Sequence, residues 1–120
     1  GTPLEIYVCH CTECRKQSAS AFGISVIVNS ADVRLNKGEL KRWSRPTDSG
    51  GQVDCYFCPQ CGSRVWHGDR DKDQTLSVKG GSLDQPVDLG TAVHIWTSRT
   101  QSGVVIPDHA DKFPHEPDSV

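Results

Sequence analysis

Three cysteines stand close together near the start of the chain, as Cys9-His10-Cys11-Thr12-Glu13-Cys14, and two more bracket a turn, as Cys58-Pro59-Gln60-Cys61. Thiolates gathered in threes and pairs at one- and two-residue gaps suit a zinc ion, which takes sulfur ligands tetrahedrally at about 2.3 Å. In an extended segment Cys9 and Cys11 point to the same side, and Cys14, across a turn, can swing back toward them. The three sulfurs then occupy three corners of a tetrahedron. The fourth corner decides the chemistry: a fourth protein ligand makes the ion structural, whereas an exchangeable position makes it catalytic. Three thiolates leave such a site with net negative charge, which weakens Lewis acidity and favours exchange of a soft ligand. A thiol substrate therefore suits it better than hydrolysis does. Cys9, Cys11 and Cys14 are the expected zinc ligands, and this segment leaves the fourth corner unassigned. His10 is expected to face away from its neighbours, as a surface residue or a support to the ligands.

Cys58-Pro59-Gln60-Cys61-Gly62 reads as a zinc knuckle, in which proline presets the turn and Gly62 takes the positive φ that aims backbone N–H groups at sulfur. A knuckle supplies two ligands. Cys55 is either a third or, as favoured here, a buried strand cysteine acting as a small hydrophobe. Alternatively Cys58 and Cys61 join two of the first three cysteines in one four-sulfur site. Disulfides are the lesser reading, because Cys9 and Cys11 are too close to bridge comfortably.

The elements that must position these residues read mostly as strands and turns. Residues 4–8 form a short strand leading into the first cluster, and 12–20 a helical turn or two with Thr12 as N-cap. Strands are expected at 22–28, at 33–35 and 40–43 around an Asn36-Lys37-Gly38 turn, at 52–57 and 63–67 as a hairpin flanking the second cluster, and at 75–79 and 91–96. Residues 45–51 read as a flexible loop and 68–74 as a charged one. Beyond Ser98, Gly103, Pro107, Pro114 and Pro117 argue for an irregular tail wrapped over the body. The fold class is mainly β with one short helix.

The chain is 120 residues long, one domain with a modest core, and only 35% of it is hydrophobic. A metal staple would help to stabilise such a chain. The net charge of −2 offers no global case for nucleic acid or an anionic membrane. Lys41-Arg42-Trp43-Ser44-Arg45 is the one local hint of a basic, aromatic surface. No run reaches transmembrane length and the first residues are not a signal peptide, so the expected location is cytoplasmic, with reduced thiols. Methionine is absent, initiator included, which suggests a processed or trimmed start.

Four segments resemble the family of glutathione-dependent formaldehyde-activating enzymes, which includes centromere protein V. They are Y-V-C-H-C-T-E-C-R-K-Q-S-A-S-A-F at residues 7–22, F-C-P-Q-C-G-S at 57–63, K-G-G-S-L-D at 79–84 and H-I-W at 94–96. The first two are specific and the last two weak alone. The resemblance implies a β-tent of small antiparallel sheets around zinc. It makes Cys9, Cys11 and Cys14 the catalytic metal site, and Cys58 and Cys61 half of a structural one. The family's other structural ligands come from an upstream C-x-C-G segment, which the eight residues before Cys9 do not contain. The expectation is a single 1–120 domain lacking that segment, with one zinc at the triplet.

The activity implied is a zinc-dependent carbon–sulfur lyase reaction on a glutathione or other thiol adduct of a small aldehyde, such as S-hydroxymethylglutathione. Arg15 and Lys16, directly after the triplet, are candidates for a substrate carboxylate. Lys79 and Gly80 are candidates for a close-approach loop at the substrate. Trp66 and Trp96 read as core residues, and His94 as a core or hydrogen-bonded histidine. The partner expected is a small-molecule thiol or its adduct, without nucleic acid or membrane; exposed strand edges are compatible with a homodimer. The rival readings are a non-catalytic zinc module that binds protein or nucleic acid, and an inactive family member.

Overall fold

The computed structural model describes residues 3–47 and 50–116. One helix, α1 (Thr12–Ser18), accompanies eight strands: β1 (Glu5–Cys9), β2 (Gly23–Asn29), β3 (Lys41–Pro46), β4 (Gln52–Phe57), β5 (Arg64–His67), β6 (Thr75–Lys79), β7 (Val93–Ile95) and β8 (Lys112–Phe113). The mainly β class with one helix is as the sequence reads. The strands form one hydrogen-bonded sheet in the order β3-β4-β5-β6-β2-β1-β7-β8, rather than several small ones. It is mixed: β7 runs parallel to both β1 and β8, and the other pairs are antiparallel.

Directly paired residues share a face of a sheet. Tyr56, Trp66, Val78, Val26 and Ile6 form one such row across five strands. Val8, Val26, Trp66, Leu76, Ala92 and Ile95 make the apolar core. The row on the opposite face, Trp43, Cys55, His67 and Ser77, is polar apart from Cys55 and Trp43. Cys55 is fully buried, as its reading as a small hydrophobe requires.

Several local expectations shift. Residues 33–35 form no strand, and β3 pairs with β4 instead of turning back at Gly38. Arg45 and Pro46, assigned to a loop, extend β3; residues 48 and 49 of that loop lie outside the described residues. After a single 3-10 turn at Thr97–Arg99, the tail is irregular among the described residues except for β8, which pairs with β7; Pro117 lies outside the described residues. Trp96 follows β7 in the left-handed region, at φ 56°. Instead of entering the core it is half-buried, with Nε1 donating to Glu116 Oε1 at 2.8 Å and its ring edge-on to His115. No helix among the described residues is long and apolar enough to cross a membrane.

Candidate metal centre

The first cluster straddles the junction of β1 and α1. Cys9 ends the strand, held by pairing with Gly23 of β2 and Ile95 of β7. Cys11, extended at φ −67° and ψ 160°, is the N-cap, a place the sequence assigned to Thr12. Its Sγ accepts the backbone N–H of Cys14 at 3.3 Å. A cap accepts from the first helical turn, so this geometry draws Cys14 toward Cys11. Gly23 completes the packing: a Cβ there would lie 3.2 Å from Cys14 Cβ, so a bare backbone is what admits Cys14 so closely. No motif in the sequence singled out Gly23.

The ligand atoms of Cys9, Cys11 and Cys14 all lie within 4.8 Å of one another, and no other group of three or more such donors occurs among the described residues. A tetrahedron with zinc–sulfur bonds near 2.3 Å needs sulfur separations of about 3.8 Å. The trio is soft, partly buried and not disulfide-bonded, so it fits zinc. Cys11 Sγ is also the shared acceptor of the trio. Thiol hydrogen bonds from Cys14 and then Cys9 hold its pKa far below the ordinary thiol value. The same bonds push Cys9 up, with burial adding to the effect. Cys14 is raised to about 11, by its bond to Cys11 first and against a lowering from Cys9. A metal binding here would displace the protons that these thiols hold.

His10, between the first two cysteines, is fully buried rather than on the surface. Its Nε2 lies 3.0 Å from Nδ1 of His94 and its ring packs on Phe22. His94 is the hydrogen-bonded histidine expected. Burial, more than neighbouring charge, pushes both imidazoles below their usual pKa.

A cleft of about 330 Å³ opens beside Cys14, lined also by Phe22, Ile24, Ser63, Arg64 and Lys79. Lys79 is nine-tenths buried and donates to Ser25 Oγ at 3.0 Å. Burial pushes its ammonium pKa down, while the fields of Cys14 and Cys9 oppose that shift. Gly80 does not line the cleft; Ile24 fills the space where a Cβ would stand, and Gly81 borders the cleft in its place. Arg15 and Lys16 line a separate depression with Thr12, Ala19 and Gln101.

At the β4–β5 turn, Gly62 takes φ 81° and its N–H bonds Cys58 O at 2.8 Å. Cys61 is exposed, and the Ser63 hydroxyl, first among several hydrogen bonds, lowers its thiol pKa. Cys58 and Cys61 remain a pair: neither joins the triplet in a four-sulfur site, and Cys55 joins no donor group of three among the described residues.

A structure from Rhodobacter sphaeroides shares this fold, with a TM-score of 0.55 and 23% identity over 76% of this chain and 81% of that one. None of the curated protein sequences compared with the chain matches it. The model of the glutathione-dependent formaldehyde-activating enzyme family matches residues 1–99, a span that contains the whole cysteine cluster, the cleft-lining residues and the hairpin knuckle. On that match, the chain belongs to the glutathione-dependent formaldehyde-activating enzyme family.

Proposed function

We propose that the protein joins a thiol to a small aldehyde at a zinc ion held by Cys9, Cys11 and Cys14, a carbon–sulfur lyase reaction run toward the adduct. Glutathione and formaldehyde, giving S-hydroxymethylglutathione, are the reactants the family suggests. The observation that carries this reading is the convergence of three sulfurs, one of which, that of Cys14, belongs to a residue lining a cleft that also holds a buried lysine. Cys9, Cys11 and Cys14 would hold the zinc, which would supply an exchangeable position and lower the pKa of a thiol bound there.

The chain's own residues supply the rest. Phe22 and Ile24 give the cleft apolar wall, which strengthens electrostatic interactions inside it. In the reaction the sulfur attacks the carbonyl carbon, the carbon–oxygen π pair moves to oxygen, and the thiol proton ends on that oxygen. Lys79, held by Ser25, sets a cation where that oxygen gains charge. The pair Cys58 and Cys61 is read as two ligands of a second, structural ion only where further donors join it.

The test is NMR exchange spectroscopy between glutathione and its formaldehyde adduct, with and without zinc-loaded protein. The expected result is exchange accelerated by the protein and returned to the uncatalysed rate by Cys11→Ser. Exchange unchanged by the wild-type protein overturns the reading.

A further inference from the structure

The sheet between β3 and β6 concentrates cations on one face, with no matching acids on that face among the described residues. Pairing passes from Tyr56↔Trp66 to Phe57↔Arg64, so one step along β4 meets two along β5. A bulge of this kind re-aims side chains. It turns Arg64 away from the face of Trp66 and onto that of His67. Arg64 Nη1 lies 3.3 Å from His67 Nε2, and its guanidinium carbon sits 5.5 Å from the centre of the Trp43 ring. Trp43, Cys55 and His67 form one row, so both neighbours of Arg64 stand on the same face.

Among the described residues, Arg45, Arg64 and Lys79 have no carboxylate partner; the ion pair described is Arg70 with Asp71, elsewhere. All three bear on His67, whose pKa is pushed to about 3 by burial first and then by Lys79, Arg64 and Arg45. His67 is therefore neutral and accepts from the guanidinium without cancelling its charge. The Nε of Arg45 is buried with no hydrogen-bond partner among the described residues. Gathered cations in a half-buried setting are costly unless an anion joins them.

Arg64 also occupies a junction. It lines the cleft beside Cys14 and, with Gly62, the neighbouring groove formed by Lys41, Arg42, Trp43 and Phe57. Arg64 and Gly62 border both. A ligand whose sulfur lies at the Cys14 end would meet the guanidinium next.

We propose that Arg64 is the specificity-determining carboxylate receptor of this cleft, selecting thiols that carry an anionic group, which docks on the guanidinium that His67 and Trp43 hold in place. The inference rests on the thiol reading of the cleft above. A guanidinium fits a carboxylate through two parallel charge-assisted hydrogen bonds, and Trp43 and His67 hold its plane in advance. Lys79 and Arg45 add field without replacing that geometry.

Four probes separate the possibilities by calorimetric titration of the zinc-loaded protein: 3-mercaptopropionate, 2-mercaptoethanol, cysteamine, and S-methylglutathione, which has carboxylates but no free thiol. Wild-type protein is expected to bind 3-mercaptopropionate more tightly than the neutral and cationic thiols. Arg64→Gln should weaken 3-mercaptopropionate and S-methylglutathione by about tenfold or more, the loss of one charge-assisted contact. It should leave 2-mercaptoethanol within about twofold, and Arg64→Lys should recover part of the loss for lack of the planar fork. The wild-type preference among the thiols needs no variant and so survives a folding defect. Equal affinity for the anionic and neutral thiols, or equal weakening of all four probes by Arg64→Gln, overturns the proposal. Arg64-dependent binding of S-methylglutathione with no binding of any free thiol would sink the zinc–thiol reading and leave the receptor standing.

Discussion

His10 Nε2 and His94 Nδ1 lie 3.0 Å apart in the interior and tie the cysteine-bearing end of β1 to β7. One ring nitrogen donates and the other accepts. The bond spans 84 residues of sequence, and it anchors the one residue between Cys9 and Cys11. His94→Ala would strand His10 in a site where its Nδ1 already lacks a partner among the described residues. The expected loss is about 1–3 kcal/mol of stability, together with weaker zinc binding. His94→Asn, whose side-chain oxygen can stand near the Nδ1 position, should lose less. Thermal melts and zinc titration of the two variants check this; equal losses would show that packing alone matters.

Zinc content should be near one ion per chain, bound by the triplet. Cys11→Ser removes the sulfur that both accepts from its two partners and caps α1, so it should lose about one equivalent. The double variant Cys58→Ser and Cys61→Ser should keep it, since the pair belongs to no donor group of three among the described residues. Elemental analysis of the purified proteins decides; retention of zinc in Cys11→Ser would place the metal elsewhere.

Gly80 and Gly81 adjoin in sequence and should respond oppositely to alanine. A Cβ at Gly80 would lie 2.5 Å from Ile24 Cγ2, whereas one at Gly81 meets nothing within 4 Å. Gly80→Ala should cost about 1–3 kcal/mol through overpacking, and Gly81→Ala less than about 0.5 kcal/mol. Denaturant midpoints of both variants provide the comparison.

Acid should destabilise the fold through His67. Its pKa is about 3 in the folded chain, and near 6.5 once unfolded. The unfolded state therefore binds a proton that the folded state refuses. The stabilisation is complete above about pH 6.5 and is lost toward pH 3, at up to about 1.4 kcal/mol per pH unit. His10 and His94, also depressed by burial, act in the same direction. In His67→Gln the slope of stability against pH should be shallower over this window. An unchanged slope in urea melts would remove His67 as its source.

The spacing of Cys9, Cys11 and Cys14 was enough to mark a triplet that could hold a metal, because strand alternation and a following helical turn are local consequences of sequence. The β4–β5 hairpin, β6 and the positive φ of Gly62 were legible for the same reason. Cys11 as N-cap was missed because Thr12 is the commoner capping type, and only the chain's path showed which residue was extended. The burial of His10, the close approach of Gly23 to Cys14 and the removal of Arg15 and Lys16 to another depression depend on which strands become neighbours. So does the arrival of Arg64 beside Trp43 and His67, which needs β3 at the sheet edge and a one-residue slip between β4 and β5. Ligand type and local spacing are written in adjacent residues; charge balance and the shape of the cleft arise from contacts between residues far apart in the chain, which only the folded sheet specifies.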